Sequence, residues 1–299
     1  MESLKAQTYP FRECEILITL DRCDQRRAEW ILELLPEARL LWLRGSTYFR
    51  SKNLALRAAR GEFIVLVDSD LYFEPHWLRS LLSAFQPGID LVTGYTRYQR
   101  GFLSRTRNLC DWPATRPSSG FTDWFQLNDV VIRRSLLGKF HFREDLGQSG
   151  GGAVNITRER LLREGVRFWF CAEAHGWHNL PPLLREHLRF GGYYVRQRRV
   201  APATSFAWLA SVPLLGPFLA TGGTLLKAWQ RAWRLRSLLP GGVLSFPVFF
   251  LTIAFVKAVE LIGAMAYTWA PGLVSRLAGW YDVPPTDVEM KSSGGLAPP

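Results

Sequence analysis

Residues 63–73 read FIVLVDSDLYF: five apolar residues, then two aspartates one residue apart, then apolar again. A short apolar run rich in branched and aromatic residues reads as a buried strand. Two earlier runs have the same character, EILITLD at 15–21 and RLLWLR at 39–44, with a helix-like stretch from Asp24 to Leu35 between them. A second helical stretch, SKNLALRAARGE, places Leu54, Ala55, Ala58 and Ala59 on one face and leads into the strand at 63. This rhythm predicts an α/β fold, a mostly parallel sheet flanked by helices. Ligands of such sheets sit off the carboxyl ends of strands, which is where Asp68 and Asp70 fall.

The two aspartates share a side if the strand continues through them, or converge in the turn just past it. Adjacent carboxylates raise each other's pKa unless a cation lies between them. A hard divalent ion, Mg2+ or Mn2+, held by oxygen ligands with positions left for phosphate oxygens answers that need. A bare D-x-D is by itself more often a solvated turn that caps the next helix.

The surrounding residues narrow the choice. The stretch NLALRAARGEFIVLVDSDLYFEPHWL resembles the signature of family 2 glycosyltransferases of the GT-A fold, the nucleotide-diphospho-sugar transferase architecture. The resemblance extends back through ESLKAQTYPFRECEILITLDRCD and on through FREDLGQSGGG, RERLLREGVRFWF and CAEAHGWHNLPPLLREHLRFGG, roughly residues 2–200. It implies that Asp68 and Asp70 hold the metal and the donor diphosphate, and that His178 completes that site. It also places Asp21, Lys52 and Asn53 with Asp68 on the nucleotide sugar. The plain alternatives are an exposed helix lysine for Lys52 and an interfacial histidine beside Trp177 for His178; His175 is the nearby competitor.

The pattern breaks in two places. Family members usually carry their proton acceptor in an E-D pair opening the helix after the glycines, where this chain reads GGGAVNITRERL, with Ala153 and Val154 in those positions. Neither side chain accepts a proton, so the candidates for a replacement base are Glu144 and Asp145, with Glu159 the next acid, or else the protein binds without turning over. Glu144 and Asp145 also read plainly as loop surface charges. The family further opens with an apolar strand ahead of the helix ending in A-Q-T-Y-P, and this chain begins inside that helix. A mis-set start or a fragment is the expectation, since a missing central strand leaves backbone groups unpaired.

From Val200 the composition changes. Positions 200–226 and 237–256 carry no charge, and Lys227, Arg231, Arg234 and Arg236 stand between them among tryptophans. Pro213, Gly216 and Pro217 interrupt the first run, which is read as re-entrant or surface-lying helices with Trp229 and Trp233 at the headgroups. The segment 238–274 is the better spanning candidate, and Lys257 and Glu260 inside it are spaced to pair. A buried hairpin of a soluble domain is the alternative. The expected organisation is a GT-A-like domain over 1–199, a membrane-associated helical region over 200–280 and a disordered tail over 281–299.

Lysine and arginine outnumber aspartate and glutamate 37 to 26, and the net charge of +11 suits an anionic partner. The basic residues cluster beside apolar runs and no nucleic-acid-binding motif is present, so nucleic acid is not the expected partner. Four dispersed cysteines with no C-x-x-C indicate neither a zinc site nor a disulfide framework. The N-terminus lacks the basic start and apolar stretch of a signal peptide. Together with the resemblance, these features imply a glycosyltransferase at the cell membrane, its catalytic domain cytoplasmic. It would move sugar from a nucleotide-diphosphate donor to a lipid or polysaccharide acceptor of the cell envelope, with inversion. The alternative is an inactive relative that binds donor or lipid as a partner or scaffold.

Overall fold

A computed structural model describes residues 1–21, 24–43, 45, 48–98, 118–144, 152–178, 184, 187–192, 195, 212, 215–234 and 242–270. The tail at 281–299 and the run at 200–211 lie outside these residues.

Strand β1 (Leu17–Asp21) leads to helix α2 (Gln25–Leu34), after the short α1 (Glu2–Lys5). Asp24 caps α2, its carboxylate accepting the Arg27 amide at 2.8 Å, so the helix begins where the sequence supplies a capping side chain. Strand β2 (Arg39–Leu43) returns parallel to β1, and α3 (Tyr48–Ala58) carries the chain to β3 (Phe63–Val67). Strand β4 (Leu71–Phe73), α4 (Trp77–Ser83), β5 (Leu91–Tyr98), β6 (Gly120–Thr122) and β7 (Asp129–Arg133) follow. Then come α5 (Gly152–Arg163), β8 (Phe168–His178), α6 (Gly216–Arg234) and α7 (Phe246–Trp269).

The α/β class and the flanking helices are as expected, but the sheet is mixed rather than mostly parallel. Strands β1 and β2 form their own parallel pair, and the other six form a second sheet in the order β3-β7-β5-β8-β4, with β6 on β8. Only β5 and β8 run parallel there; β3–β7, β5–β7, β4–β8 and β6–β8 are antiparallel. Apolar periodicity identifies a strand but says nothing of its neighbour, and β7 and β4 insert against the direction of the βαβ rhythm.

Two apolar layers enclose the larger sheet. One gathers Phe49, Leu66, Phe125, Val130, Phe140, Phe142, Leu161 and Phe168 under α3 and α5. The other gathers Leu71, Phe73, Trp77, Leu81, Val92, Val131 and Ala174 under α4. The buried face of α3 is Phe49, Lys52, Asn53 and Leu56, not the Leu54–Ala55–Ala58–Ala59 face that hydrophobicity alone selects. Two polar residues are buried there because each finds partners inside, as described below.

At the C-terminal end α6 and α7 pack antiparallel, with Trp233 against Phe246 and Trp229 against Phe250. Helix α6 runs straight through the boundary between the uncharged run and the basic segment, so 216–234 is one element rather than two. Helix α7 is 24 residues long with mean hydropathy 2.0, and is the one described helix long and apolar enough to cross a membrane.

Candidate active site

Strand β3 stops at Val67, and Asp68, Ser69 and Asp70 form the turn into β4. The two carboxylates therefore leave a common strand side and take separate partners. Asp68 faces α3. Lys52 and Tyr48, one helical turn apart, both reach it: Lys52 Nζ lies 2.5 Å from Oδ1, and the Tyr48 hydroxyl donates to Oδ1 and Oδ2 at 2.9 and 2.8 Å. Lys52 also donates to the Val67 carbonyl at 3.1 Å and sits over the Tyr48 ring. Burial, and then the neighbouring Asp68 carboxylate, hold the Tyr48 phenol well above its usual range, so it stays protonated and donates.

Asp70 faces the other way, toward the end of β8. The antiparallel β4–β8 ladder sets Leu71 opposite His178, Tyr72 opposite Trp177 and Phe73 opposite Gly176. That register brings His178 Nε2 to 3.3 Å from Asp70 Oδ2 across 108 residues of sequence. Alternation sends His175 to the opposite face with Trp177, where its Nδ1 meets the Arg97 guanidinium at 3.3 Å. Arg97 lies over the rings of Tyr95 and Trp177, and Tyr72 stacks on Trp177.

Asn53, beside Lys52 on α3, clamps the chain ahead of the glycines. Its amide donates to the Phe142 carbonyl and to Glu144 Oε1, both at 2.9 Å, and accepts the Phe142 amide at 3.0 Å. Arg57 approaches the same Glu144 oxygen at 3.9 Å. Glu144 is thus held by α3, its side chain 40% exposed. Asp145 lies outside the described residues. Ala153 is fully buried in the larger apolar layer, and Val154 packs against it, so the two positions that replace the E-D pair are packing positions here. Asp21 is the exposed last residue of β1, in register with Leu43 in the separate two-stranded sheet.

Asp129 has no sequence signal, yet it organises the floor beneath the site. It pairs with Val67, the residue before Asp68, and is wholly buried. Trp77 Nε1 donates to one oxygen at 2.8 Å and the Thr96 hydroxyl to the other at 2.5 Å, and a side chain at Gly94 would collide with the same carboxylate. Burial pushes its pKa up to about 7 against the lowering effect of those hydrogen bonds. Tyr48 also carried no sequence signal of its own; its spacing of four residues from Lys52 is the one clue.

Among the described residues no three His, Cys, Asp or Glu side chains gather closely enough to ligate a metal by themselves. The pair Asp70–His178 nevertheless fits two cis positions of a divalent ion. Neighbouring ligands on an octahedral ion with bonds of about 2.1 Å stand about 3 Å apart, close to the 3.3 Å seen here. Asp68 already has an ammonium partner, so its negative charge is balanced from within the protein.

A strand-end aspartate turn, a lysine-bearing helix behind it and a histidine from β8 thus meet at the carboxyl end of β3. Residues 1–145 match the family described as glycosyl transferase family 2. No curated protein matches the chain. Among solved structures it is similar to a crystal structure of GalNAc-T7 with UDP, GalNAc and Mn2+, at 12% identity and a TM-score of 0.48. The match covers 69% of this chain and 48% of that one, so this chain spans about half the length of that relative.

Proposed function

We propose that the protein transfers a sugar from a nucleotide-diphosphate donor to a lipid or polysaccharide acceptor of the cell envelope, with inversion, at the cytoplasmic face of the membrane. The observation that carries this reading is the Asp70–His178 pair, assembled beside Asp68 in a chain whose residues 1–145 match glycosyl transferase family 2. Asp70 and His178 would hold Mg2+ or Mn2+, which when bound supplies Lewis-acid neutralisation of the charge on a leaving diphosphate. Asp68, fixed by Lys52 and Tyr48, is presented to the donor as a preorganised acceptor, and a site fixed in advance loses little to reorganisation. Asp21 lies at the end of β1 as a further contact for the nucleotide.

Inversion by direct displacement needs a carboxylate to take the acceptor hydroxyl's proton. Glu144 serves that role, oriented by Asn53, with Asp145 next to it in sequence. The membrane part of the reading is supported by α7 and by large apolar side chains on the outer faces of the α6–α7 pair. Phe218, Leu226, Leu251, Phe255 and Ile262 are each about half exposed or more. Such a surface is unfavourable in water and suited to lipid.

A second reading has its own observation. Ala153 and Val154 are built into the core, which suits a protein that binds donor or lipid without turnover and acts as a scaffold. Membranes containing the full chain, supplied with a panel of radiolabelled nucleotide sugars with and without Mn2+, separate the two. Metal-dependent incorporation into lipid or polysaccharide supports transfer. Donor binding with neither transfer nor hydrolysis supports the scaffold.

A further inference from the structure

One cluster of ionisable groups stands outside the site. On α7, Lys257 Nζ donates to both oxygens of Glu260, at 3.1 and 2.9 Å, and His187 Nδ1 lies 2.7 Å from Glu260 Oε1. The three side chains are almost wholly buried, at 6%, 1% and 2% exposed for Lys257, Glu260 and His187. The backbones also touch. A side chain at Gly191 would collide with the Glu260 carbonyl, and one at Gly263 with the Leu188 carbonyl.

The buried stripe of α7 therefore divides in two. Phe246 and Ile253 face α6, whereas Glu260, Gly263 and Ala264 face the helical residues 187–192 and Val195. Ionisable groups on an apolar helix are costly unless paired, and a buried ion pair gains little stability over well-packed apolar residues. What such a cluster supplies is specificity. A rotation or slip of α7 carries the Lys257–Glu260 pair along with it but takes Glu260 away from the buried His187, so the His187–Glu260 contact selects one register between α7 and 187–192.

His187 follows His178 by nine residues, and His178 is the last residue of β8. We propose that His187, Lys257 and Glu260 form a latch that fixes residues 187–192 on α7, and that as positioning residues they thereby hold the end of β8, and with it His178, against Asp70. The role of His178 rests on the function proposed above; the latch rests on its own contacts.

Hydrogen exchange on the full chain in detergent micelles tests this without relying on activity. Glu260→Leu should speed exchange of the amides at 187–192 and of the Leu71–Phe73 and Gly176–His178 ladder by about tenfold or more, with Glu260→Asp intermediate. Because Glu260→Leu leaves the buried Lys257 ammonium and the His187 ring without their acceptor and risks misfolding, the triple variant His187→Phe/Lys257→Met/Glu260→Leu removes all three groups and provides the second arm. Folded, with a Tm at or above the parent's, it should still show faster exchange at Leu71 and His178, because apolar packing does not fix register. Parent-like exchange at those residues in the folded triple variant overturns the proposal. Calorimetric titration with Mn2+ and a panel of nucleotide sugars runs alongside, with about tenfold weaker uptake expected in the triple variant. If the parent protein itself takes up no Mn2+, the metal reading fails, and exchange still judges the latch.

Discussion

Replacing Lys52 with methionine probes the arrangement that distinguishes this aspartate turn from a solvated one. Lys52 is buried and its ammonium is the cation on Asp68, whose side chain keeps 23% of its exposure. Removing one partner of a fully buried pair costs roughly 3–5 kcal/mol. The residual exposure of Asp68 and its bifurcated hydrogen bond from the Tyr48 hydroxyl reduce that, and charge-assisted hydrogen bonds contribute roughly 1.5–3 kcal/mol. The coupling between the two side chains should therefore be about 2 kcal/mol, roughly thirtyfold in the folded-to-unfolded ratio. A double-mutant cycle of Lys52→Met and Asp68→Asn, read by chemical denaturation of the full chain in detergent, isolates it. The double variant should be more stable than the sum of the single losses predicts. A coupling below about 0.5 kcal/mol, the scatter of independent sites, would refute the claim that Lys52 balances Asp68.

Asp129 makes stability pH-dependent. Its folded pKa of about 7 lies above its ordinary 3.8, so its contribution is fully present below that lower value and is lost as pH rises to 7. The loss is of order 4 kcal/mol, and Asp129→Asn should flatten this slope in denaturation curves collected from pH 4 to pH 8. Glu144→Gln should lower kcat by roughly a hundredfold or more with KM little changed, whereas a parent-like kcat would assign the proton to another group. Chelation should abolish transfer and Mn2+ restore it, and His178→Ala should require at least about tenfold more Mn2+ for half-maximal activity. Sedimentation should leave the chain with membranes through a high-salt wash and release it with detergent, as burial of α7 rather than surface charge requires.

Several elements were legible from local pattern alone. The helical stretch beginning at Asp24, the apolar runs of β1 to β3 and the aspartates at the end of β3 all rest on neighbours within a turn or two. The pairing of Lys257 with Glu260 was legible for the same reason, since three residues along a helix are one turn apart. The burial of Lys52 and Asn53 was not legible. On composition they belong to the wet face of α3, and only Asp68 from the next strand and the Phe142–Glu144 segment make their burial favourable. Asp129 is the extreme case, a carboxylate in an apolar strand whose Trp77 and Thr96 partners are dozens of residues away.

By itself, then, the sequence determined the α/β class, the position of the aspartate turn and the apolar C-terminal helix, because each depends on contacts within a few residues. The tertiary structure decided which strands pair and in which direction, that Asp68 and Asp70 part toward different partners, and that His178 rather than His175 meets Asp70. It also decided that His187 joins the Lys257–Glu260 pair. These depend on strand register and on groups far apart in the chain, and a shift of one residue in β8 would move His178 off Leu71 and onto the other face of the sheet.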